Sequence, residues 1–211
     1  MKKLLNLFRR CLEADYVHTE KDGDYAIEVD EDTLYILFEC SDDVGDWISN
    51  FDFPAEPYKQ MCDPWYCHRG FLAVWKAMRD EVKQKAAEML ESSPEVKNIV
   101  CVGYSHGGAL SLLATEDMEY TYGFTHNVSG YGFGAPRVMW GVIPRSVKYR
   151  IRNFVTVRNV PDIVTHVPPI LFGFRNSGTM LKIGTLGKYN PVKAHFASSY
   201  ISELEDNGGN A

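Results

Sequence analysis

The sequence predicts an α/β fold, with a mostly parallel central sheet and helices on both faces. Three observations carry that expectation. The run Gly103-Tyr104-Ser105-His106-Gly107-Gly108 joins the apolar stretch NIVCVGY to the helix-forming ALSLLA, which places a serine at a sharp strand-to-helix turn. The stretch TLYILFEC, residues 33–40, is continuously apolar, as a strand covered on both faces must be. Strand-like and helix-like segments then alternate through the middle of the chain, the pattern that builds a parallel sheet. With 211 residues, no internal repeat and no linker, one domain over residues 1–211 is expected.

Taken in order, MKKLLNLFRRCLEADYV opens on a helix whose Leu4, Leu5, Phe8 and Leu12 share a face. That face covers the domain's own core more readily than it touches a membrane surface, although its basic flank suits either use. YAIEV and TLYILFEC read as two strands separated by an acidic turn. Residues 41–70 are rich in Pro, Asp, Trp and Tyr and too irregular for a regular element, and long loops of this kind are usually functional. Between residues 71 and 90, Phe71, Trp75, Met78, Val82, Ala86 and Met89 recur at helical spacing, and SSP ends the helix. The strand, turn and helix around Ser105 follow. NVSGYGFGAPRV and RNFVTVRNV are further strands, and KYRIR reads as the start of one. Near the end, LFGFRNSGTMLKIG suggests a hairpin turning at residues 176–178, and a closing helix is expected after Pro191.

Composition excludes several classes of function. The formal charge is −6 and no cluster of Lys and Arg marks a phosphate-backbone partner, so nucleic acid is not expected. Five scattered cysteines do not form a disulfide framework. No apolar run approaches the roughly 20 residues that a membrane-spanning helix needs. The N-terminal apolar stretch is interrupted by Asn6 and followed by Arg9 and Arg10, unlike a signal peptide, which points to a cytoplasmic location.

The chemistry centres on Ser105. Flanking glycines at 103 and 107 suit a strained turn that holds the serine hydroxyl exposed, the layout of a nucleophile elbow. A serine needs a base to take its proton, and the base needs an acid to fix its tautomer. Asp162 follows the strand NFVTVR, so a parallel sheet brings it to the same rim as Ser105. His166 and His195 are the histidines that follow Asp162, and position favours His195 because His166 continues away from the aspartate. The backbone N–H of His106, next to the nucleophile, is one arm of an oxyanion hole.

The motifs GYSHGG, GFGAPRV, VRNVPDIVTHVPP, HRGF and AHFASSY, in that fold, resemble the class 3 lipases, the fungal lipase-like group of α/β-hydrolases, over residues 34–200. The resemblance implies an α/β-hydrolase fold and a lipase or esterase that acts on acylglycerol-like esters through an acyl-enzyme. It implies Ser105 as nucleophile, Asp162 as orienting acid and His195 as base. FECS stands where the family carries F-R-G-[ST], which makes Ser41 the second oxyanion donor, with Glu39 and Cys40 departing from the pattern. The hairpin departs too, reading Phe174-Arg175-Asn176-Ser177-Gly178 where the family has Tyr-x-His-x-Gly.

The loop after Ser41 lies where the family carries a lid. Its Trp47, Phe51, Phe53, Tyr58, Trp65 and Tyr66 either offer an apolar surface to acyl chains or a lipid interface, or form a satellite cluster over the core. Asp42, Asp43 and Asp46 lack the spacing of a calcium loop, and Cys62, Cys67 and His68 lack a fourth ligand for zinc, so neither metal nor cofactor is expected. The alternatives are a thioesterase or phospholipase-type acyl hydrolase on the same machinery, and a binding protein that retains the scaffold without the chemistry.

Overall fold

Side-chain alternation in the strands sets the architecture. In β5 (Asn98–Tyr104) of the computed structural model, which describes residues 1–19, 23–39, 54–58 and 64–206, Ile99 and Cys101 pack on one side of the sheet. Val100, Val102 and Tyr104 pack on the other, since successive strand side chains point to opposite faces. β2 (Thr33–Phe38) divides in the same way, with Leu34, Ile36 and Phe38 against Leu37. Both faces therefore need cover.

β1 (Tyr25–Asp30), β6 (Asn127–Phe133), β8 (Phe154–Asn159) and β10 (Thr179–Ile183) complete the central sheet, in the order β1-β2-β5-β6-β8-β10. β1 is antiparallel to β2, and the four other pairings are parallel. α2 (Arg69–Ser92) and α3 (His106–Tyr122) cover one face, laying Trp75, Met78, Val82, Leu110 and Leu113 on it. α1 (Lys2–Glu13) and α5 (Ala197–Asp206) cover the other. Phe8 of α1 is fully buried, its ring 4.7 Å from that of Phe133 and 5.7 Å from that of Tyr200. Helix 1 thus serves the core, and its buried line runs through Leu7, Phe8 and Cys11, while Leu12 points outward. Among the described residues no helix is long and apolar enough to cross a membrane.

Four local expectations are corrected. The stretch expected to be irregular contains β3 (Ala55–Tyr58) and β4 (Trp65–His68), which join β7 (Met139–Trp140) and β9 (Phe174–Arg175) in a second sheet. Strands of two to four residues are too short to show alternation, and β7 and β9 lie far along the chain. The expected hairpin does not form, because β9 pairs with β7 whereas β10 pairs with β8. KYRIR is not the start of a strand but the end of α4 (Arg145–Arg150) and the turn after it. There Arg150 and Arg152 reach Glu116 and Glu119 of α3, each at 2.6 Å. The closing helix begins at Ala197, after a 3-10 turn at Lys193–His195.

The far half of α3 carries a buried charge cluster of which the sequence gives no sign. Asp117 is fully buried, accepting from the Tyr58 hydroxyl at 3.1 Å and pairing with Arg79 and with Lys83 at 3.1 Å. The Trp75 indole donates to the Tyr58 hydroxyl at 3.0 Å. Glu116, also fully buried, has its carboxyl pushed up by burial to about 7, against the pull of Arg150. A carboxyl whose folded pKa is raised contributes stability below its ordinary 4.5 and loses it as pH rises through about 7. Glu116→Gln cannot ionise. Melting curves between pH 4.5 and 8 will therefore show the wild type losing stability relative to Glu116→Gln across that window.

Candidate active site

The turn between β5 and α3 forces two backbones into contact. A β-carbon on Gly103 would lie 1.9 Å from the Gly107 carbonyl oxygen, and one on Gly107 would lie 2.3 Å from the Phe38 carbonyl oxygen at the end of β2. No side chain fits either position. Between them Ser105 takes φ 54° and ψ −118°, in a region that residues other than glycine seldom adopt. Its N–H donates to the Phe133 carbonyl at 2.8 Å, which ties the strained residue to β6.

Ser105 Oγ lies 2.8 Å from His195 Nε2, and His195 Nδ1 lies 2.8 Å from Asp162 Oδ2. Both side chains beyond the serine are buried, His195 at 2% exposure and Asp162 at 0%. An ionised carboxylate only accepts, so Nδ1–H donates to Asp162 and Nε2 is left to accept the serine proton. The parallel sheet explains the meeting. Asp162 follows β8, Ser105 follows β5, and the turn carrying His195 lies between β10 and α5, all at the carboxyl edge of the strands.

Two tyrosines that sequence reasoning missed hold this arrangement. The Tyr200 hydroxyl donates to Asp162 Oδ2 at 2.6 Å and accepts from the Asn159 N–H at 3.1 Å. Burial, with the Asp162 carboxylate beside it, pushes the Tyr200 phenol well above its ordinary pKa, so it remains a donor. Asp162 Oδ1 receives the Val164 N–H at 2.9 Å. Tyr104 stacks its ring on the His195 imidazole, 5.3 Å between centroids and 25° between planes, and its hydroxyl donates to the His195 carbonyl. AHFASSY contains the signal for Tyr200, but a tyrosine on a helix reads as core unless its partner is known.

His106 begins α3 directly after Ser105, with its amide in the first turn at the N-terminal end of the helix and its ring buried 5.4 Å from that of Phe71. Ser41 and Cys40, with Trp47, Phe51 and Phe53 and the aspartates at 42, 43 and 46, lie outside the described residues, as does Cys62. Of the remaining aromatics, Tyr58 and Trp65 are core residues with rings 5.7 Å apart, and Tyr66 is exposed. Burial pushes the Cys67 thiol up to about 12, which leaves it protonated and inert at neutral pH. His166 lies on the surface with Nδ1 3.3 Å from the Arg158 guanidinium, and the structure brings His195 to Ser105 instead.

Comparison with known proteins points to one family. The family described as Lipase (class 3) matches residues 35–172, a span that includes Ser105 and Asp162 and stops short of His195. A lipase of Rhizomucor miehei is 30% identical over 153 residues, covering 70% of this chain and 41% of that protein. The secreted mono- and diacylglycerol lipase 1 of Fusarium solani is 29% identical over 171 residues, covering 79% of this chain and 49% of that protein. The chain thus spans less than half the length of these relatives. The solved complex of the Rhizomucor miehei lipase with its propeptide superposes with a TM-score of 0.74 at 23% identity, over 89% of this chain and 70% of that one, which is a likeness of fold.

These relatives overturn the cytoplasmic location, since one of them is named as secreted. The ground for that expectation was the form of the N-terminal residues, and those residues build α1 against the core. Close backbone contact at the turn gives a direct test of the geometry. Gly103→Ala sets a β-carbon against carbonyl atoms that cannot swing aside, and denaturant unfolding will register a loss of about 3 kcal/mol.

Proposed function

This chain belongs to the class 3 lipase family, and from that premise we propose that it is a serine carboxylester hydrolase acting on acylglycerol-like esters. The observation that carries the reading is the unbroken relay from Ser105 Oγ through His195 to Asp162, with both hydrogen bonds at 2.8 Å. In this reading Ser105 attacks the ester carbonyl while His195 Nε2 takes the hydroxyl proton. The tetrahedral intermediate collapses as His195 returns that proton to the leaving alcohol, and an acyl-serine remains. Water then enters by the same route in reverse, freeing the acid and the serine.

Asp162 steadies the imidazolium formed in each half, and the hydrogen bonds from Tyr200 and Val164 keep it oriented. The His106 N–H and Ser41 receive the developing oxyanion. Tyr104 and Tyr200 act as positioning residues. One domain carries the whole reaction. Exposed apolar residues surround the rim, with Val192 and Phe196 on either side of the His195 turn and Ile163 next to Asp162. Their clustering there supports a transient contact with a lipid interface.

Labelling with a fluorophosphonate probe and hydrolysis of p-nitrophenyl esters from short to long acyl chains test the reading. Ser105→Ala will abolish labelling and lower turnover by about 10⁶-fold with unchanged melting. Ser41→Ala will cost no more than about 10²–10³-fold, because a backbone donor survives the change. A wild type that neither labels nor turns over any ester overturns the proposal. Tyr200→Phe removes a donor from Asp162. The imidazole is then held less firmly, so kcat will fall while KM and melting stay unchanged, a split that a purely structural role would not produce.

A further inference from the structure

Away from the Ser105 relay, one corner of the molecule gathers cations without acids. β8 and β10 are parallel neighbours whose register sets Arg158 beside Lys182 on the same face of the sheet. Like charges directly across a strand pair cost stability. Arg158 Nε is buried and makes no hydrogen bond, and the terminal nitrogen of that guanidinium contacts the His166 imidazole at 3.3 Å. Arg137, buried at 6% exposure, reaches the backbone of the same histidine. Its guanidinium donates to the carbonyls of His166 and of Pro168, the latter at 2.9 Å, and to Asn176 Oδ1 at 2.9 Å, all neutral acceptors.

Among the described residues no carboxylate forms an ion pair with any of these three cations. The acid whose charge Arg158 feels is Asp162, and its oxygens are taken by His195, Tyr200 and the Val164 N–H. Burial and the neighbouring Arg158 lower the pKa of Arg137, and burial lowers that of Arg158 against the pull of Asp162. In a chain of net charge −6 with 28 acidic residues, this corner sets two guanidiniums and an ammonium together without an ion pair among the described residues.

We propose that Arg158, Lys182 and His166, backed by Arg137, form a binding site for a phosphate-type oxyanion, either free phosphate or the phosphate of a lipid headgroup. The site presents more than one full positive charge. A dianion with several acceptor oxygens balances that charge and can engage the Arg158 guanidinium and the Lys182 ammonium together, whereas a single carboxylate leaves an excess. His166 also borders a cleft of about 380 Å³ lined by Val160, Pro161, Ile163 and Leu186. An acyl chain attached to a headgroup phosphate would find apolar cover there. The inference is independent of ester hydrolysis, and binding alone tests it.

Two probes separate the sources: sodium phosphate titrated at constant ionic strength, followed by the His166 imidazole resonances and by melting, and flotation with phosphatidylcholine vesicles with or without phosphatidic acid. Lys182→Glu is the chief variant, because residue 182 is an exposed strand position where a carboxylate facing Arg158 preserves or raises the melting temperature. Arg158→Gln is the second. Saturable phosphate binding by the wild type, weakened about tenfold or more in both variants, supports the site with free phosphate as its ligand. Binding confined to vesicles containing phosphatidic acid, and lost in both variants, supports it with the headgroup as its ligand. No binding of either probe, or binding that both variants retain, overturns it.

Discussion

The contact between the end of β5 and the start of α3 is the constraint on which the site depends. Gly103 and Gly107 let the helix begin against the strand backbone, and the same closeness forces Ser105 into its unusual φ and ψ. Such a conformation costs on the order of 1–3 kcal/mol and persists only where its surroundings over-determine it. Here they do: β2 and β6 flank β5, and the α3 residues Ala109, Leu110, Leu112 and Leu113 that follow the turn are all buried. The strain is local, and the core that opposes it spans the molecule.

Around that turn the molecule treats buried charge in three ways. Asp162 is enclosed by three donors, which compensate a carboxylate at zero exposure and fix where its lone pairs point. Asp117 and Glu116, at the other end of α3, are paired with cations from α2 and α4, so the helix that starts at the serine is clamped at both ends. Removing one partner of such a pair costs more than the pair itself contributes, because it strands the other charge. Arg158 and Lys182 have cations as neighbours and no comparable acidic partner. Asp117 and Asp162 thus hold specific partners, whereas the cations at this corner hold no ion pair among the described residues.

The same logic distinguishes the tyrosines. Tyr58, Tyr104 and Tyr200 are all buried, and each spends its hydroxyl on a specific acceptor: Asp117, the His195 carbonyl and Asp162. Phe8 supplies the apolar counterpart, packing near Tyr104, Tyr200 and Phe133 and so linking α1 to the elements that carry the relay. A residue near the start of the chain thereby supports a hydrogen-bonded relay assembled from its middle and end.

Local pattern and chain order were enough to read the parallel strands, the turn at Ser105 and the rim on which Asp162 lies, and they favoured His195 over His166, with the family resemblance naming His195. A strand covered on both faces is apolar throughout, the elbow glycines are fixed by contacts within a few residues, and strand ends in a parallel sheet share one edge. Short elements were not legible in this way. β4 and β9 both pair with β7 at Met139 and Trp140, and nothing within two to four residues encodes partners that stand as far apart in the chain as Cys67, Met139 and Arg175. KYRIR became the end of a helix because Glu116 and Glu119 of another helix take its arginines. Tyr200 at Asp162, Tyr104 on His195 and the register that sets Arg158 against Lys182 are likewise matters of tertiary structure alone. Each depends on which side chains meet when two faces close, and a linear sequence records only the residues that are available to meet.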